Sequence, residues 1–412
     1  LGDVYKRQIK DRMNLLFLTL DRFLNINDRE ISEDLMRKFN AEGHNVYVVC
    51  PRERSFNMPT SLKEQDGVHI LGVRTLNMQK SSVVEKGLGT LLIKGQFERA
   101  IKKYLSDVNF DLVLYTTPPI TFTNVVKYVK RKNPGAKSYL LLKDIFPQNA
   151  VDIGMFSKKS PLGWYFRKKE VELYKASDFI GCMSPANVKF VLDHNNFVDP
   201  KTVEVAPNSI ELTEQVKLPK EDKEEIRKKY KLPLDKPILI YGGNLGKPQG
   251  IPFLVECLDA NKNREDCHFL IIGSGTEYGR LEEWYKSVNP KSVSLYQRLP
   301  KADYDKLVQC CDVGLIFLDY RFTIPNYPSR LLSYLEYEMP ILVATDVNCD
   351  MGSIASENGY GFWSPSNNVE AFTENVNIIL KSDIQYMGEK GYEFLKANYT
   401  VDNTYQAIIK HF

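Results

Sequence analysis

The sequence lacks the features that define several large classes of protein. No stretch of its 412 residues approaches the roughly 18 consecutive apolar residues that a membrane-spanning helix requires. Its start lacks the basic region, apolar core and small-residue cleavage site of a signal peptide. Low-complexity segments and short repeats are also absent, while 43% of the residues are hydrophobic and 26% are charged. This composition excludes disordered, collagen-like and coiled-coil chains and predicts a globular protein of two or three domains.

Cysteine and histidine are too sparse, and too irregularly spaced, to predict a disulfide framework or a metal site. The seven cysteines are an odd number without regular spacing, which is typical of small core residues in a reducing compartment. The five histidines include no pair at the H-x-x-x-H spacing. We therefore expect neither a metal nor a cofactor.

Charge is divided unevenly between the two halves of the chain. Residues 1–205 carry 32 Lys and Arg against 23 Asp and Glu, whereas the remaining residues carry 23 against 29. A basic first half predicts contact with something anionic, but the surplus is too small for a nucleic-acid binder. Two basic stretches, 127–132 and 164–169, fit either a helix on a membrane surface or a solvated helix whose aromatics face the core. The basic half favours peripheral membrane contact.

Short apolar runs alternate with amphipathic stretches in two successive series. The runs predict strands buried on both faces of parallel sheets, at 15–20, 46–50, 68–73, 112–115, 139–142 and 179–182, then at 238–241, 268–272, 293–296, 313–317 and 341–344. Residues 31–40 predict a helix with Asp28 as its N-cap, and the charged stretch 218–231 predicts a solvated helix near a domain junction. Two such series imply two doubly wound α/β domains.

The domain boundaries follow from the same alternation. Residues 1–12 are expected to be a non-native or disordered prefix, because the first eight resemble the translation of a cloning adapter. The first domain is expected to span 13–205 and the second 206–395. A C-terminal helix at 396–412 is expected to pack back on the first domain.

The strongest local motif is a glycine-rich loop after the strand at 238–241. Residues 238–250 read Ile-Leu-Ile-Tyr-Gly-Gly-Asn-Leu-Gly-Lys-Pro-Gln-Gly, and a helix is expected from about Pro252. Glycines let a backbone approach a phosphate, a helix N-terminus favours negative charge, and Lys247 adds a cation. The loop contains neither a Walker A motif nor a dinucleotide-binding fingerprint. A tight turn without a ligand is the alternative.

Two further elements have a similar character. Gly273-Ser274-Gly275 follows the strand at 268–272, and by itself it indicates only a strand end. Pro328 is well placed to open a helix whose first turn, with Ser329 and Arg330, would hold an anion. The alternative for this element is an ordinary helix that starts at a proline.

Four motifs in order resemble the bacterial family 4 glycosyltransferases of the GT-B fold, the kind that builds capsular or exopolysaccharide repeat units. They lie at 243–246 with 249–250, at 273–275, at 311–314 and at 328–331, and the likeness extends from about Asn14 to the C-terminus. The resemblance implies two Rossmann-like doubly wound parallel-sheet domains facing a central cleft. It also implies transfer of a sugar from a nucleotide donor, UDP-linked, to a lipid-linked or saccharide acceptor. The implied reaction is retaining and metal-independent, at the cytoplasmic face of the inner membrane.

The resemblance also assigns roles to individual residues of the second domain. The expected donor-binding residues are Gly243, Asn244, Gly246 and Lys247 near the diphosphate, Gly273 beside them, Leu299 by the base, and Ser329, Arg330 and Ser333 on the phosphate and sugar side. Three positions depart from the family pattern. Pro325 and Ser333 replace a pair of glutamates, the second of which binds the ribose, and Glu338 replaces a glycine.

In the first domain, Asp144 follows the strand at 139–142, where α/β sheets place their ligands. The resemblance makes Asp144 the candidate catalytic carboxylate, with Lys143 and Thr117 on the acceptor side. A turn-capping aspartate is the alternative. Two other functions also stay open: a nucleotide-sugar 2-epimerase of the same fold, and a non-catalytic partner subunit that binds a nucleotide sugar.

Overall fold

The computed structural model describes residues 12–77, 83–213 and 217–412, without the side chains of 83–91. The chain forms two compact units. The first comprises residues up to Pro147, Phe156–Glu211 and Val401–Phe412, and the second comprises Gln148–Met155 and Leu212–Thr400. The division therefore falls six residues after the expected boundary at 205, and a short segment of the first half belongs to the second unit. Residues 1–11 of the expected prefix lie outside the described residues.

Strands alternate with helices throughout both units. The strands of the first unit are β1 (Asn14–Leu18), β2 (Asn45–Glu53), β3 (Ser61–Gln65), β4 (Val68–Thr75), β5 (Leu112–Thr116), β6 (Lys137–Leu142), β7 (Phe179–Cys182) and β8 (Val203–Val205). Those of the second are β9 (Ile238–Asn244), β10 (His268–Ser274), β11 (Val293–Gln297), β12 (Val313–Phe317), β13 (Ile341–Thr345) and β14 (Gly361–Pro365). All the expected strands are present, whereas β3, β8 and β14 were not predicted.

The helices lie between these strands and at the C-terminus. They are α1 (Ile31–Ala41), α2 (Val83–Tyr104), α3 (Thr123–Lys132), α4 (Gln148–Asp152), α5 (Pro161–Ala176), α6 (Pro185–His194), α7 (Lys220–Lys229), α8 (Ile251–Ala260), α9 (Tyr278–Val288), α10 (Lys301–Val308), α11 (Arg330–Glu336), α12 (Met351–Glu357), α13 (Val369–Lys381), α14 (Ile384–Asn398) and α15 (Val401–Ile409). Helix α7 buries none of its residues, as its charged sequence predicted. In the described part of the chain, no helix is both long and apolar enough to cross a membrane.

The two sheets share one topology. The second sheet has the order β11-β10-β9-β12-β13-β14, which is 3-2-1-4-5-6 when its own strands are numbered along the chain, the order of a doubly wound fold. In the first sheet, β4-β2-β1-β5-β6-β7 repeats this order, with β3 and β8 added at the edges. All pairs are parallel except the edge pair of β3 with β4. Ligands of parallel α/β sheets bind at the carboxyl ends of the strands, so each unit has one edge of its sheet where a ligand is expected.

The last helix completes the core of the first unit. Tyr405, Ile408 and Ile409 of α15 are buried in the same apolar cluster as Leu35 and Phe39 of α1. The Tyr405 hydroxyl and the His44 Nε2 are 2.9 Å apart. The chain end at 396–412 is thus not one helix, since α14 ends at Asn398 and α15 starts at Val401.

Helix α1 starts where the sequence predicted, but Asp28 is not its N-cap. The N-cap is Glu30, which has an extended backbone and makes no capping bond with its side chain. Asp28 instead lies in the preceding turn, where its N–H donates to the Asn25 carbonyl at 3.1 Å. The prediction was wrong because the backbone of Asp28 is held in this turn, two residues before the N-cap position.

Candidate functional site

The glycine-rich loop extends from the carboxyl end of β9, in the middle of the second sheet. Gly243 has a φ of +126°, a conformation that side-chain-bearing residues rarely adopt. Asn244 and Lys247 are exposed, whereas Gly246 is buried. The loop then closes through a single 3₁₀ turn at Lys247–Gln249 before α8 starts at Ile251.

The side chain of Gln249 holds this loop together. Its Oε1 accepts hydrogen bonds from the Asn244 side chain at 2.9 Å and from the Gly246 N–H at 3.2 Å. The Tyr241 hydroxyl donates to the Asn244 carbonyl at 2.7 Å. Two of the expected donor-binding groups are therefore engaged with Gln249, so a ligand would have to replace that contact or use the loop's other groups.

Gly273 supports the loop from the neighbouring strand. It is paired with Gly243 in the register of β10 with β9, and a Cβ at Gly273 would lie 2.1 Å from the Gly243 carbonyl oxygen. A Cβ at Gly275 would lie 2.3 Å from the Leu245 carbonyl oxygen. These glycines allow the turn after β10 to pack against the loop after β9, which is a structural reason for the second glycine motif.

Arg330, the first residue of α11, reaches the same edge of the sheet. Its guanidinium carbon lies 4.3 Å above the centre of the Tyr241 ring. A Cβ at Gly243 would be 3.4 Å from its Nη2, which places the guanidinium directly beside the glycine with positive φ. The Nη1 atom is buried and has no hydrogen-bond partner in the described structure. A buried donor without a partner is costly, and an anion beside Gly243 would satisfy it.

The other expected donor residues are dispersed around this centre. Leu299 is half-buried and lies two residues past β11. Ser329 is exposed and precedes α11, with no capping bond from its hydroxyl. Ser333 is half-buried within α11. The structure thus brings Arg330 and Gly243 together directly, and the Tyr241 ring stacks on the same guanidinium.

Glu338 stands where the family pattern has a glycine, and its backbone shows the consequence. Its φ is +54°. It follows the C-cap of α11, where the Met339 N–H donates to the Tyr334 carbonyl at 2.9 Å and the Glu338 N–H to the Leu335 carbonyl at 3.1 Å. This pair of bonds is a Schellman motif, which favours glycine at this position. The Schellman motif is therefore formed here with a glutamate in the left-handed conformation, which is strained for a residue with a side chain.

The carboxyl edge of the first sheet has a different chemistry. Asp144 lies just past β6 and is tied to the loop after β5 through Thr117, which is buried. The Thr117 hydroxyl donates to the Asp144 carbonyl at 3.1 Å and accepts from the Asp144 N–H at 3.2 Å. In the described structure no side-chain hydrogen bond to the Asp144 carboxylate is found, so this aspartate is not a side-chain turn cap. Burial raises the pKa of Asp144, and the Lys143 ammonium offsets part of that rise.

A pocket opens at the same edge of the first sheet. Lys143 lines it together with Ser32 and Leu35 of α1, and Phe17, Leu141 and Met183 at the strand ends form its apolar wall. Near it, Glu33 is buried in the first turn of α1, and this burial raises its pKa to about 8, with Asp21 and Glu30 contributing. Asp144, the expected catalytic carboxylate, therefore lies at one edge with Lys143 and Thr117, the two residues expected on the acceptor side.

Part of each basic stretch forms ion pairs within the first unit. Lys130 forms an ion pair with Asp178 at 2.6 Å, and Lys169 pairs with Glu172 at 2.7 Å. Arg167 pairs with Glu170 at 2.6 Å and also donates to the His194 carbonyl at 3.0 Å. Arg167 thus links α5 to the end of α6, Lys130 links α3 to the loop before β7, and Lys169 pairs within α5, so these three cations are already engaged. All seven cysteines are buried and unbridged, as predicted.

No metal site emerges from the side chains whose positions are described. Among them, no group of three or more His, Cys, Asp or Glu is arranged to hold a metal ion.

Solved structures with the same architecture define the class of the fold. A sucrose-phosphate synthase from Thermosynechococcus elongatus superposes with a TM-score of 0.70 and 14% identity over 97% of both chains. The Anabaena protein HepE, in complex with UDP and glucose, superposes with a TM-score of 0.65 and 12% identity, over 97% of this chain and 99% of that chain. The chain therefore has the GT-B fold, with two parallel-sheet α/β domains.

The second unit carries the more specific sequence likeness. Residues 222–394 match the family of glycosyl transferases group 1. A Pseudomonas aeruginosa protein named as the glycosyltransferase WbjE is 25% identical over 297 residues, 72% of this chain and 70% of its own. An Escherichia coli K12 protein named as the colanic acid biosynthesis glycosyl transferase WcaI is 30% identical over 151 residues, 36% of each chain. The glycine loop and Arg330 thus lie within the segment that matches the group 1 glycosyltransferase family.

Proposed function

We propose that the protein is a glycosyltransferase that moves a sugar from a UDP-linked donor to a lipid-linked or saccharide acceptor in the synthesis of a cell-surface polysaccharide. The observation that carries this proposal is the unpartnered Arg330 Nη1 beside Gly243, within the segment that matches the group 1 family. The names of the two curated relatives and the UDP and glucose bound to HepE support the same class of reaction. We place the enzyme at the cytoplasmic face of the inner membrane.

The proposed chemistry on the donor side is stabilisation of a departing diphosphate. Charge that develops on the leaving group needs hydrogen-bond donors and cations already in place. Arg330 would supply a fixed guanidinium held by its contact with Tyr241, and the exposed Lys247 would add a mobile cation. Gly243 leaves room for a phosphate to approach Arg330. We propose that these groups act without a metal and that the anomeric configuration of the sugar is retained.

The proposed chemistry on the acceptor side centres on Asp144. Its carboxylate is free of side-chain hydrogen bonds in the described structure, while its backbone is fixed by Thr117. A raised pKa makes the carboxylate a better proton acceptor near neutral pH. We propose that Asp144 orients the acceptor hydroxyl or takes up its proton, and that Lys143 contacts the acceptor.

A donor and acceptor screen tests this function. The protein is incubated with a panel of UDP-sugars and other nucleotide sugars, with and without lipid-linked and free saccharides, and products are identified by mass spectrometry. We expect sugar transfer that depends on the acceptor, preference for a UDP donor, and unchanged activity after EDTA treatment.

Two other outcomes would replace the proposal. Epimerisation or hydrolysis of the donor at full rate without an acceptor would indicate a 2-epimerase-like enzyme. Tight donor binding without turnover across a broad acceptor panel would indicate a non-catalytic subunit. Each outcome leaves the fold assignment unchanged, because the fold rests on the structural comparison.

A further inference from the structure

The start of α5 presents large apolar side chains that nothing in the described structure covers. Trp164 is 66% exposed and Leu162 is 48% exposed, on the first turns of the same helix. The helix start is capped by Ser160, whose hydroxyl accepts a hydrogen bond from the Gly163 N–H at 3.1 Å. Two large exposed apolar side chains at one helix start indicate a candidate interaction surface.

Three lysines lie on, or directly before, the first turns of the same helix. A Cβ at Gly163 would lie 2.9 Å from the Lys158 carbonyl oxygen, so the segment that carries Lys158 and Lys159 packs directly on the first turn of α5. The Lys168 ammonium lies 5.5 Å from the centre of the Trp164 ring. All three lysines are exposed. We call Lys158, Lys159, Leu162, Trp164 and Lys168 the Trp164 surface.

These lysines differ from their neighbours in forming no direct ion pair in the described structure, although the pKa of Glu172, lowered chiefly by its bond to Lys169, is also lowered by the Lys168 charge. Within the described residues, Lys158, Lys159 and Lys168 form no ion pair, whereas Arg167 and Lys169 on the same helix pair with Glu170 and Glu172. The first group is therefore available to an external anion, and the second is not. Exposed tryptophan and leucine beside unpaired lysines match the boundary between lipid headgroups and acyl chains.

We propose that the Trp164 surface docks on an anionic lipid bilayer, with Trp164 and Leu162 entering the headgroup region and the three lysines contacting lipid phosphates. Tryptophan is favoured at this depth because its ring is apolar while its N–H is polar. Each lysine close to an anionic bilayer strengthens binding about fivefold. The proposal depends on the geometry of the first unit and not on the proposed transfer reaction, so either one can fail alone.

Vesicle binding tests the proposal. The full-length protein is sedimented with phosphatidylcholine vesicles that do or do not contain phosphatidylglycerol, over a salt range of about 0.05 to 0.5 M. We expect binding only to the anionic vesicles, weakening as salt rises. Trp164→Ala should weaken binding about tenfold, and replacing Lys158, Lys159 and Lys168 together with Gln should weaken it about a hundredfold.

Matched controls exist in the second unit. Tyr386 is 55% exposed, and the Lys390 ammonium lies 5.4 Å from its ring, so Tyr386→Ala removes a comparable aromatic and cation pair. Lys220, Lys228 and Lys229 are exposed on α7, and replacing them with Gln changes the net charge by the same amount. Both controls should bind vesicles like the wild type.

Tryptophan fluorescence gives a second, direct measurement of insertion. The indole N–H groups of Trp284 and Trp363 are held inside the second unit by Asp259 and Thr345, both at 3.0 Å. Quenching by brominated lipids should therefore come from Trp164 and disappear in Trp164→Phe. Vesicle binding that is absent, or that is unchanged by the Trp164 and lysine variants, would overturn the proposal. So would a concentration-dependent dimer that Trp164→Ala abolishes while lipid binding persists.

Discussion

The two sheets have the same strand order, yet their carboxyl edges carry opposite chemistry. In the second unit this edge presents Gly243 and the Arg330 guanidinium, with one buried nitrogen unpartnered. In the first unit it presents Asp144 and Glu33, two carboxyls whose pKa values burial raises. A shared topology therefore fixes where ligands bind, while the side chains at each edge decide which kind of ligand that is.

The largest expected effect is a loss of turnover without a loss of donor affinity, which would distinguish the proposed roles of the two sheet edges. Asp144→Asn keeps the size of the side chain but removes its basicity, so we predict a 10²–10⁴-fold loss of turnover, the usual contribution of general-base assistance. Donor affinity should change little, because the glycine-rich loop, where we propose that the donor binds, lies in the other unit. Turnover and donor binding are measured on the same sample, with a melting curve. Asp107→Asn, at an exposed position of the first unit, is the matched control, and near-normal turnover of Asp144→Asn would remove its catalytic role.

The buried Glu33 should make the free energy of unfolding of the first unit depend on pH. Its pKa of about 8 in the folded state lies above the ordinary value of 4.5, so the folded protein holds a proton that the unfolded chain has released. The free energy of unfolding should therefore fall as pH rises from about 4.5 to 8, by roughly 2 to 4 kcal/mol.

The Glu33→Gln variant tests that attribution. Removal of the titrating group should flatten the fall in stability over this pH range, as measured by urea unfolding. Glu225→Gln, on the exposed helix α7, should keep the wild-type profile. Identical profiles for the wild type and Glu33→Gln would show that another group is responsible.

Substitutions of two glycines in the glycine-rich loop test which part of this loop the proposed donor contacts. Gly243→Ala forces a Cβ at a φ of +126° and 3.4 Å from Arg330, so we expect donor affinity to fall about tenfold. Gly246 has a φ of −111°, and its nearest neighbour is the flexible Asn244 amide at 3.0 Å. Gly246→Ala should therefore change affinity only about twofold. Equal losses in the two variants, measured by calorimetry, would mean that Arg330 is not the point of contact.

The smallest effect concerns a position away from both edges. Glu338→Gly relieves a residue with a φ of +54°. The gain is reduced by the greater entropy of glycine in the unfolded chain and by the lost ion pair with Lys217, which is largely exposed. We predict a net stabilisation of about 0.5 kcal/mol, a rise of one or two degrees in melting temperature, with unchanged donor affinity. Lys217→Gln removes the ion pair alone, and a Glu338→Gly variant that melts below it would contradict this account.

The sequence predicted the alternation of strands and helices well, because buried parallel strands are continuous apolar runs. It failed for strands without such a run. Strand β3 reads Ser-Leu-Lys-Glu-Gln, is mostly exposed, and exists only through its pairing with β4. Strand β8 has three residues at the other edge of the same sheet.

At the candidate site, the sequence identified the residues but not the contacts between their side chains. The resemblance assigned Gly243 and Arg330 to one donor site, but these residues are 87 positions apart. Their contact, and the stacking of the Arg330 guanidinium on Tyr241, appear only in the fold. The sequence did not reveal that the Asn244 side-chain amide donates a hydrogen bond to Gln249. Nor did it reveal that Gly273 allows the turn after β10 to pack against the loop after β9. For the basic stretches, the partners of Arg167 and Lys130 come from distant segments, which composition cannot show.

The central claim is that the edge containing Arg330 binds the diphosphate of the donor. Calorimetric titration of UDP into the wild type and Arg330→Met tests it most directly, with Arg280→Met on the surface of the same unit as the control. Methionine keeps the apolar stem and removes the charge, so affinity should fall about 10- to 100-fold, the value of hydrogen bonds to a charged group. Because Arg330 Nη1 has no partner in the described structure, the melting temperature should stay constant or rise. A folded Arg330→Met protein that binds UDP as the wild type does would contradict the account.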